Sequence, residues 1–242
     1  MSEPDDPRRT AVLRQALSVA LATGSYGISF GALAVASGLT LPQTVLLSLL
    51  LFSGGSQFAL AGVLGAGGSG AAGVATSTLL GVRNGLYGLQ VARLLDARGW
   101  RRLVAAHLTI DESTAVAVGQ PETRLARLGF WATGLGVFAL WNLTTLVGAL
   151  VGSAMGDPRT YGLDAAAVAA FCALLWPRLD RPVTRAVAVA AALVALVLSP
   201  LSPPGVPVLA AAGAALVAGA DAHLYAAKRA GRGRFQGGEI GD

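Results

Sequence analysis

Residues 15–82 contain no Asp, Glu, Lys or Arg, a run of 68 positions. Two further charge-free runs follow, over residues 128–156 and 186–220. A helix at a water interface needs a charged or polar face, and runs of this kind supply none. They exclude a soluble enzyme, a nucleic-acid binder and a disordered chain. Composition agrees: 13% of the residues are charged and 54% hydrophobic, where soluble domains carry roughly 25% charge. About 20 apolar residues cross a bilayer as a helix, so the chain reads as a polytopic membrane protein. Backbone groups in lipid must be paired within their own segment, which favours helices. The alternation of barrel strands is missing. The expected fold class is all-α.

Glycine and proline punctuation divides the runs into segments. Spans are expected near 15–37, 42–64, 71–92, 128–152, 160–177, 183–199 and 206–225, about seven in all. They make one transmembrane domain over residues 15–225, between a polar tail (1–14) and a basic tail (226–242). Ala20-Leu21-Ala22 matches a signal-cleavage pattern, but apolar character continues well past it, so a first span is the reading taken. Seventeen of the 18 basic residues are Arg, and they gather at Arg8/Arg9/Arg14, Arg93–Arg102, Arg124/Arg127, Arg178/Arg181/Arg185 and Lys228–Arg234. The positive-inside rule puts each cluster, and both termini, in the cytoplasm. The second half of the chain obeys this count. Three plain spans before Arg93 do not, so something within 15–120 is not a plain span. A broken or re-entrant helix in the Gly-rich part restores parity, and so does a span over 103–120. Gly31-Ala32-Leu33…Gly38-Leu39…Phe52 is weakly echoed by Gly148-Ala149-Leu150…Gly162-Leu163…Trp176, a likeness that chance also produces in such segments.

Three polar groups interrupt the apolar runs. Ser53-Gly54-Gly55-Ser56-Gln57 lies deep in the first. Adjacent glycines weaken a helix, and an unwound segment there could offer backbone groups and the Gln57 amide to a polar substrate. Close packing, with Ser and Gln bonded to a neighbouring helix, accounts for the same residues. Arg83-Asn84, followed by Tyr87, places a guanidinium at an apolar run, where it can grip a carboxylate through two parallel hydrogen bonds. Snorkelling to the membrane surface is the alternative. His107 and Asp111 are spaced to share a helix face, with Glu112 beside them. Asp111 or Glu112 suits proton relay or an ammonium ligand. Pairing with Arg83 or another Arg would make them structural. A metal site needs more ligands, and the other histidine, His223, lies near the far end of the chain. Gly27-x-x-x-Gly31 and Gly148-x-x-x-Gly152 suit close helix contact. Gly65-x-Gly67-x-x-Gly70 has no strand before it and is no dinucleotide fingerprint. Asn142-Leu143-Thr144 is a sequon buried in an apolar span. Cys172 has no partner for a disulfide. No cofactor, nucleotide or metal is expected.

In order, Gly27-Ile-Ser-Phe-Gly31-Ala-Leu-Ala34, Ser48…Phe52-Ser-Gly-Gly-Ser-Gln57-Phe58, Arg83-Asn-Gly-Leu-Tyr87 and Leu108-Thr-Ile-Asp111-Glu112-Ser113 resemble the AzlC/BrnF family, the large subunits of two-component branched-chain amino acid exporters. The resemblance covers roughly residues 15–220. It implies export of valine, leucine and isoleucine, and in many members methionine too, across the bacterial inner membrane, driven by an ion gradient. It also implies a small AzlD/BrnE-type membrane partner. On that reading Ser53, Gly54, Gly55, Ser56, Gln57, Arg83, Asn84 and Tyr87 bind substrate, and Asp111 and Glu112 bind the ammonium or carry the coupling proton. The chain departs from the family pattern at Gly81, where an Asn is usual, and at Asn84, where a His or aromatic is common. The rival readings are a transporter of a different small polar solute with the same fold, and an intramembrane metal-dependent enzyme using His107, Asp111 and Glu112.

Overall fold

The computed structural model describes residues 6–154, 172, 175–176, 179–203, 206–215 and 217–218. Among the described residues all regular structure is helical. The chain divides into two compact units. The first holds α1 (Pro7–Ala36), α2 (Leu41–Leu50), α3 (Gly54–Gly65), α4 (Gly70–Leu95), α5 (Trp100–His107), α6 (Asp111–Val118) and α7 (Thr123–Ala154). The second holds α8 (Pro182–Leu198) and α9 (Val206–Ala215). Pro182 opens α8, where a missing N–H costs nothing.

α1 and α7 are the frame of the first unit. They are also the two described helices long and apolar enough to cross a membrane. At about 1.5 Å per residue they run roughly 45 and 48 Å. α1 begins at Pro7, within the segment expected as a polar tail, because the Asp6 carboxylate accepts from Arg8 N at 3.0 Å and Pro7 starts the first turn. The two helices are parallel. Arg8 pairs with Glu122, Ala20 packs on Gly136, Gly24 on Leu140, and Gly152 on Ala32. Both helices therefore start at one end, here called the arginine end, and finish at the other, the far end. The two small-residue motifs face each other across this contact. A methyl group on Gly31 would overlap the Thr145 carbonyl oxygen, and one on Gly148 the Ile28 carbonyl oxygen. The Thr144 hydroxyl donates across the seam to the Gly24 carbonyl. Leu17 and Leu21 on α1 and Leu143 and Val151 on α7 point outward, more than half exposed. Such apolar exposure suits a hydrocarbon surround.

The expected span over 42–64 is not continuous. α2 and α3, ten and twelve residues long, are separated by a break at Leu51–Ser53. Pro42 and the reciprocal bonds between Thr40 and Gln43 start α2 just past the end of α1. α3 ends beside the same place: a methyl on Gly65 would lie 2.8 Å from Ser37 Oγ. The pair is thus a helical hairpin that enters and leaves at the far end. Neither arm, at roughly 15 and 18 Å, could cross a hydrocarbon core of about 30 Å.

α4 runs back along α3, Gly73 against Leu60 and Gly81 against Ser56. It ends at the arginine end, where Arg127 Nε donates to the Leu94 carbonyl at 2.7 Å. The segment 103–120 is again no single helix. α5 and α6, eight residues each, are broken at Leu108–Ile110. This second hairpin returns to the arginine end, where Gln120 Nε2 donates to Gln15 Oε1 at 3.1 Å.

The plan of α1–α3 thus repeats in α4–α6 with the direction inverted: a long helix, then a broken hairpin at the end where it finishes. It differs from the echo between residues 31–52 and 148–176, which runs into positions outside the described residues. Of the other expected spans, 71–92 is α4 and 183–199 is α8. Most of 160–177, part of 206–225 and all of the 226–242 tail lie outside the described residues.

Candidate functional site

The tips of the two hairpins meet beside α7. The Phe52 ring, in the first break, packs edge-on against Phe138 with centroids 5.1 Å apart, and lies 5.9 Å from the His107 ring at the end of α5. His107 also packs on Phe138, at 5.6 Å. Phe138 stands near the middle of α7, so both breaks sit about halfway along the frame.

The first tip is shaped by Gln57. α2 stops at Leu50, and its last carbonyls have no helical donor above them. Gln57 Nε2 supplies one: it donates to the Leu51 carbonyl at 2.6 Å and faces the Ser48 carbonyl at 3.4 Å. Gln57 Oε1 accepts from Trp141 Nε1 at 2.8 Å. Gln57 is fully buried and Trp141 nearly so, so the amide is held by the protein on both sides. Ser53 Oγ donates to Ser56 Oγ at 3.2 Å. Gly54 lies under the Trp141 ring, where a methyl would come within 3.0 Å of Cη2. A methyl on Gly55 would come equally close to Arg83 Nη2. The paired glycines therefore admit an indole on one side and a guanidinium on the other.

Removing the indole donor strands a buried carbonyl oxygen, which costs about 1–3 kcal/mol. Trp141→Phe is expected to lower the thermal midpoint in detergent. Adding Gln57→Leu should cost less than the sum of the two single changes, since an apolar pair leaves that oxygen out. Midpoints of the three variants measure this coupling.

The second tip carries the acids. Thr109 Oγ1 turns back to the Ala105 carbonyl at 2.7 Å as α5 ends. Ser113 Oγ accepts from Ile110 N at 3.1 Å and donates to the Leu108 carbonyl at 2.6 Å. The break these bonds hold puts His107 at the end of one helix and Asp111 at the start of the next. The expected shared face of His107 and Asp111 is therefore not formed. Asp111 and Glu112 occupy the first turn of α6, where the helix dipole favours negative charge.

Arg83 joins the two tips. Its Nη1 lies 3.1 Å from Asp111 Oδ2, with the side chains 32% and 23% exposed. Its Nη2 faces Gly55, while its Nε is buried with no hydrogen-bond partner among the described residues. Asn84 Oδ1 is buried in the same condition. Tyr87, one turn further along α4, is half-buried. Of the residues singled out in the sequence, Gly55, Arg83 and Asp111 come together directly, with Gly54, Ser53, Ser56 and Gln57 forming the tip behind them. Phe52, Phe138 and the Trp141 indole are the additions that only the fold reveals. Nothing in an apolar run distinguishes these aromatics from ordinary packing residues. Among the described residues no three His, Cys, Asp or Glu side chains lie close enough to share a metal ion.

A cation and a carboxylate side by side, half-way along the frame and only partly exposed, form a neutral pair that a zwitterion can replace group for group. A sequence model described as the AzlC protein family matches residues 18–155 of the chain. No curated protein and no solved structure matches it.

Proposed function

Because this chain belongs to the AzlC family, whose members are membrane-transport subunits, we propose that it is the large subunit of a secondary exporter of branched-chain amino acids. The Arg83–Asp111 pair at the meeting of the two hairpin tips carries this reading. An amino acid brings one carboxylate and one ammonium. Arg83 takes the carboxylate through its fork, and Asp111, released from Arg83, takes the ammonium. Glu112, next in the same helical turn, takes the coupling proton. Phe52 and Phe138 offer apolar surface to the branched side chain, and Asn84 and Tyr87 line the α4 side. Ser53, Ser56 and Gln57 hold the shape of the tip, and Gly54 and Gly55 leave room at it.

The hairpins enter from opposite ends, so each can close one side of a site at their tips. The positive-inside rule sets the arginine end in the cytoplasm. The α2/α3 hairpin then faces outward and the α5/α6 hairpin inward, and Arg93–Arg102 fall on the cytoplasmic side without an additional span. The membrane is the bacterial inner membrane, and a small AzlD/BrnE-type subunit completes the exporter.

The test is efflux of labelled valine from peptide-fed cells expressing this chain with its small partner. Efflux requiring both chains and abolished by a protonophore is the expected result. Arg83→Lys should lower it about tenfold or more, because a point charge does not reproduce the bidentate fork. No valine efflux from two well-expressed chains would move the substrate to another small polar solute, with Gly81 and Asn84 as the first positions to examine. Unchanged efflux in Arg83→Lys would remove Arg83 from the carboxylate role.

A further inference from the structure

Parallel packing brings the first turns of α1 and α7 side by side at the arginine end. A cavity of about 350 Å³ opens there, lined by Arg9, Arg124, Leu125 and Leu128. Arg8, Arg9, Arg124 and Arg127 all stand in these first turns, and the fold uses them differently. Arg8 Nη1 donates to Glu122 Oε1 at 2.7 Å. Arg127 Nε donates to the Leu94 carbonyl and ties α7 to the end of α4. Arg9 and Arg124, the two that line the cavity, have no hydrogen bond or ion pair among the described residues.

Two guanidiniums turned to one cavity repel each other unless an anion stands between them. Their planar forks suit the oxygens of a phosphate. The rest of the lining is apolar: Leu125 is buried and Leu128 half-buried. Beyond the cavity α1 continues with Leu13 and Leu17, 39% and 58% exposed. They follow Arg9 at four-residue intervals, so an apolar strip leads from the guanidinium along the helix. A charged head continuous with a hydrocarbon tail matches this sequence of surfaces.

We infer that the cavity binds the phosphate of an anionic phospholipid, gripped by Arg9 and Arg124, with an acyl chain along Leu13 and Leu17. Basic pockets between helices at the cytoplasmic side are suited to such headgroups. The guanidinium–phosphate contact is shared with free phosphate, and the leucine strip is what selects the lipid. The site is remote in the fold from the hairpin tips and does not depend on the transported solute.

The full chain, purified in detergent, would be titrated with phosphatidylglycerol, phosphatidylcholine or inorganic phosphate, and bound ligand read by native mass spectrometry. Phosphatidylglycerol is expected to be retained over the other two. R9Q/R124Q should weaken its retention about thirtyfold, the loss expected from two basic side chains at an anionic headgroup. R98Q/R101Q, which removes exposed charge from the corner between α4 and α5, should leave it within about twofold. If R9Q/R124Q does not purify with native elution and helix content, R124Q alone should show a loss of about fivefold. Equal retention by the parent and the cavity variant overturns the inference. So does equal loss from R98Q/R101Q, which would mean diffuse attraction. Inorganic phosphate bound as tightly as the lipid overturns the lipid assignment and leaves an anion site alone.

Discussion

The double variant R83Q/D111N is expected to accumulate in the membrane like the parent and to export no valine. Each single change takes an oppositely charged neighbour from its partner in a partly buried place. Breaking a buried pair from one side costs about 3–5 kcal/mol. Here the side chains are 32% and 23% exposed, so solvent screening makes the cost smaller. R83Q alone and D111N alone should therefore lower the thermal midpoint in detergent, and the neutral double variant should recover most of the loss. Transport should not recover, because neither amide can offer a full charge to a carboxylate or an ammonium. This separates two roles that the geometry alone joins. A pair that merely staples α4 to the second tip would give a double variant that is stable and active. Midpoint and valine efflux, measured on the same three variants, decide between them.

Replacing Gly31 or Gly148 by Val is expected to eliminate folded protein. Overpacking a core commonly costs about 1–3 kcal/mol, when side chains can move aside. Here the obstacle is the Thr145 or Ile28 carbonyl oxygen in the backbone of the opposite helix, so the cost should be ~3 kcal/mol or more. Even Gly148→Ala should reduce the yield of monodisperse protein. Gly88 on α4 is the matched control, since a methyl there meets nothing within 4 Å. Gly88→Ala should be neutral or raise the midpoint, by roughly the 0.5–1 kcal/mol that alanine gains over glycine inside a helix. Similar yields from Gly148→Val and Gly88→Ala would show that α1 and α7 do not pack by close backbone approach.

Much of the frame can be read from residue order alone. The Gly27/Gly31 and Gly148/Gly152 motifs announce close contact, and the fold sets them against each other. The count of arginine clusters requires an irregular element within residues 15–120, and the fold contains two, at Leu51–Ser53 and Leu108–Ile110. Gly54-Gly55 points to the first break. The second is harder to read, because Leu108-Thr109-Ile110 contains no glycine or proline. Ser113 and Thr109 hold it through side-chain bonds to Leu108, Ile110 and Ala105, and such residues also sit within ordinary helices. Gln57 illustrates the same limit. Its amide reads equally as a ligand for a solute or a clamp on a neighbour, and only the positions of Leu51 and Trp141 show what it touches.

What the sequence by itself determined is the medium and the class of structure. Long charge-free runs leave no polar face for water, and a backbone in lipid must satisfy itself within each helix. The ordered motifs over residues 18–155 also carry the family. Only the tertiary structure decided that two apolar stretches turn back as hairpins from opposite ends, that α1 and α7 run parallel, and that Arg83 meets Asp111. Solvent preference is a property of each segment alone, and an arm of a hairpin is as apolar as part of a span. Which residues meet depends on contacts between positions far apart in the chain, such as Gly31 with Thr145 or Phe52 with Phe138. Local composition does not encode that distance, and packing resolves it.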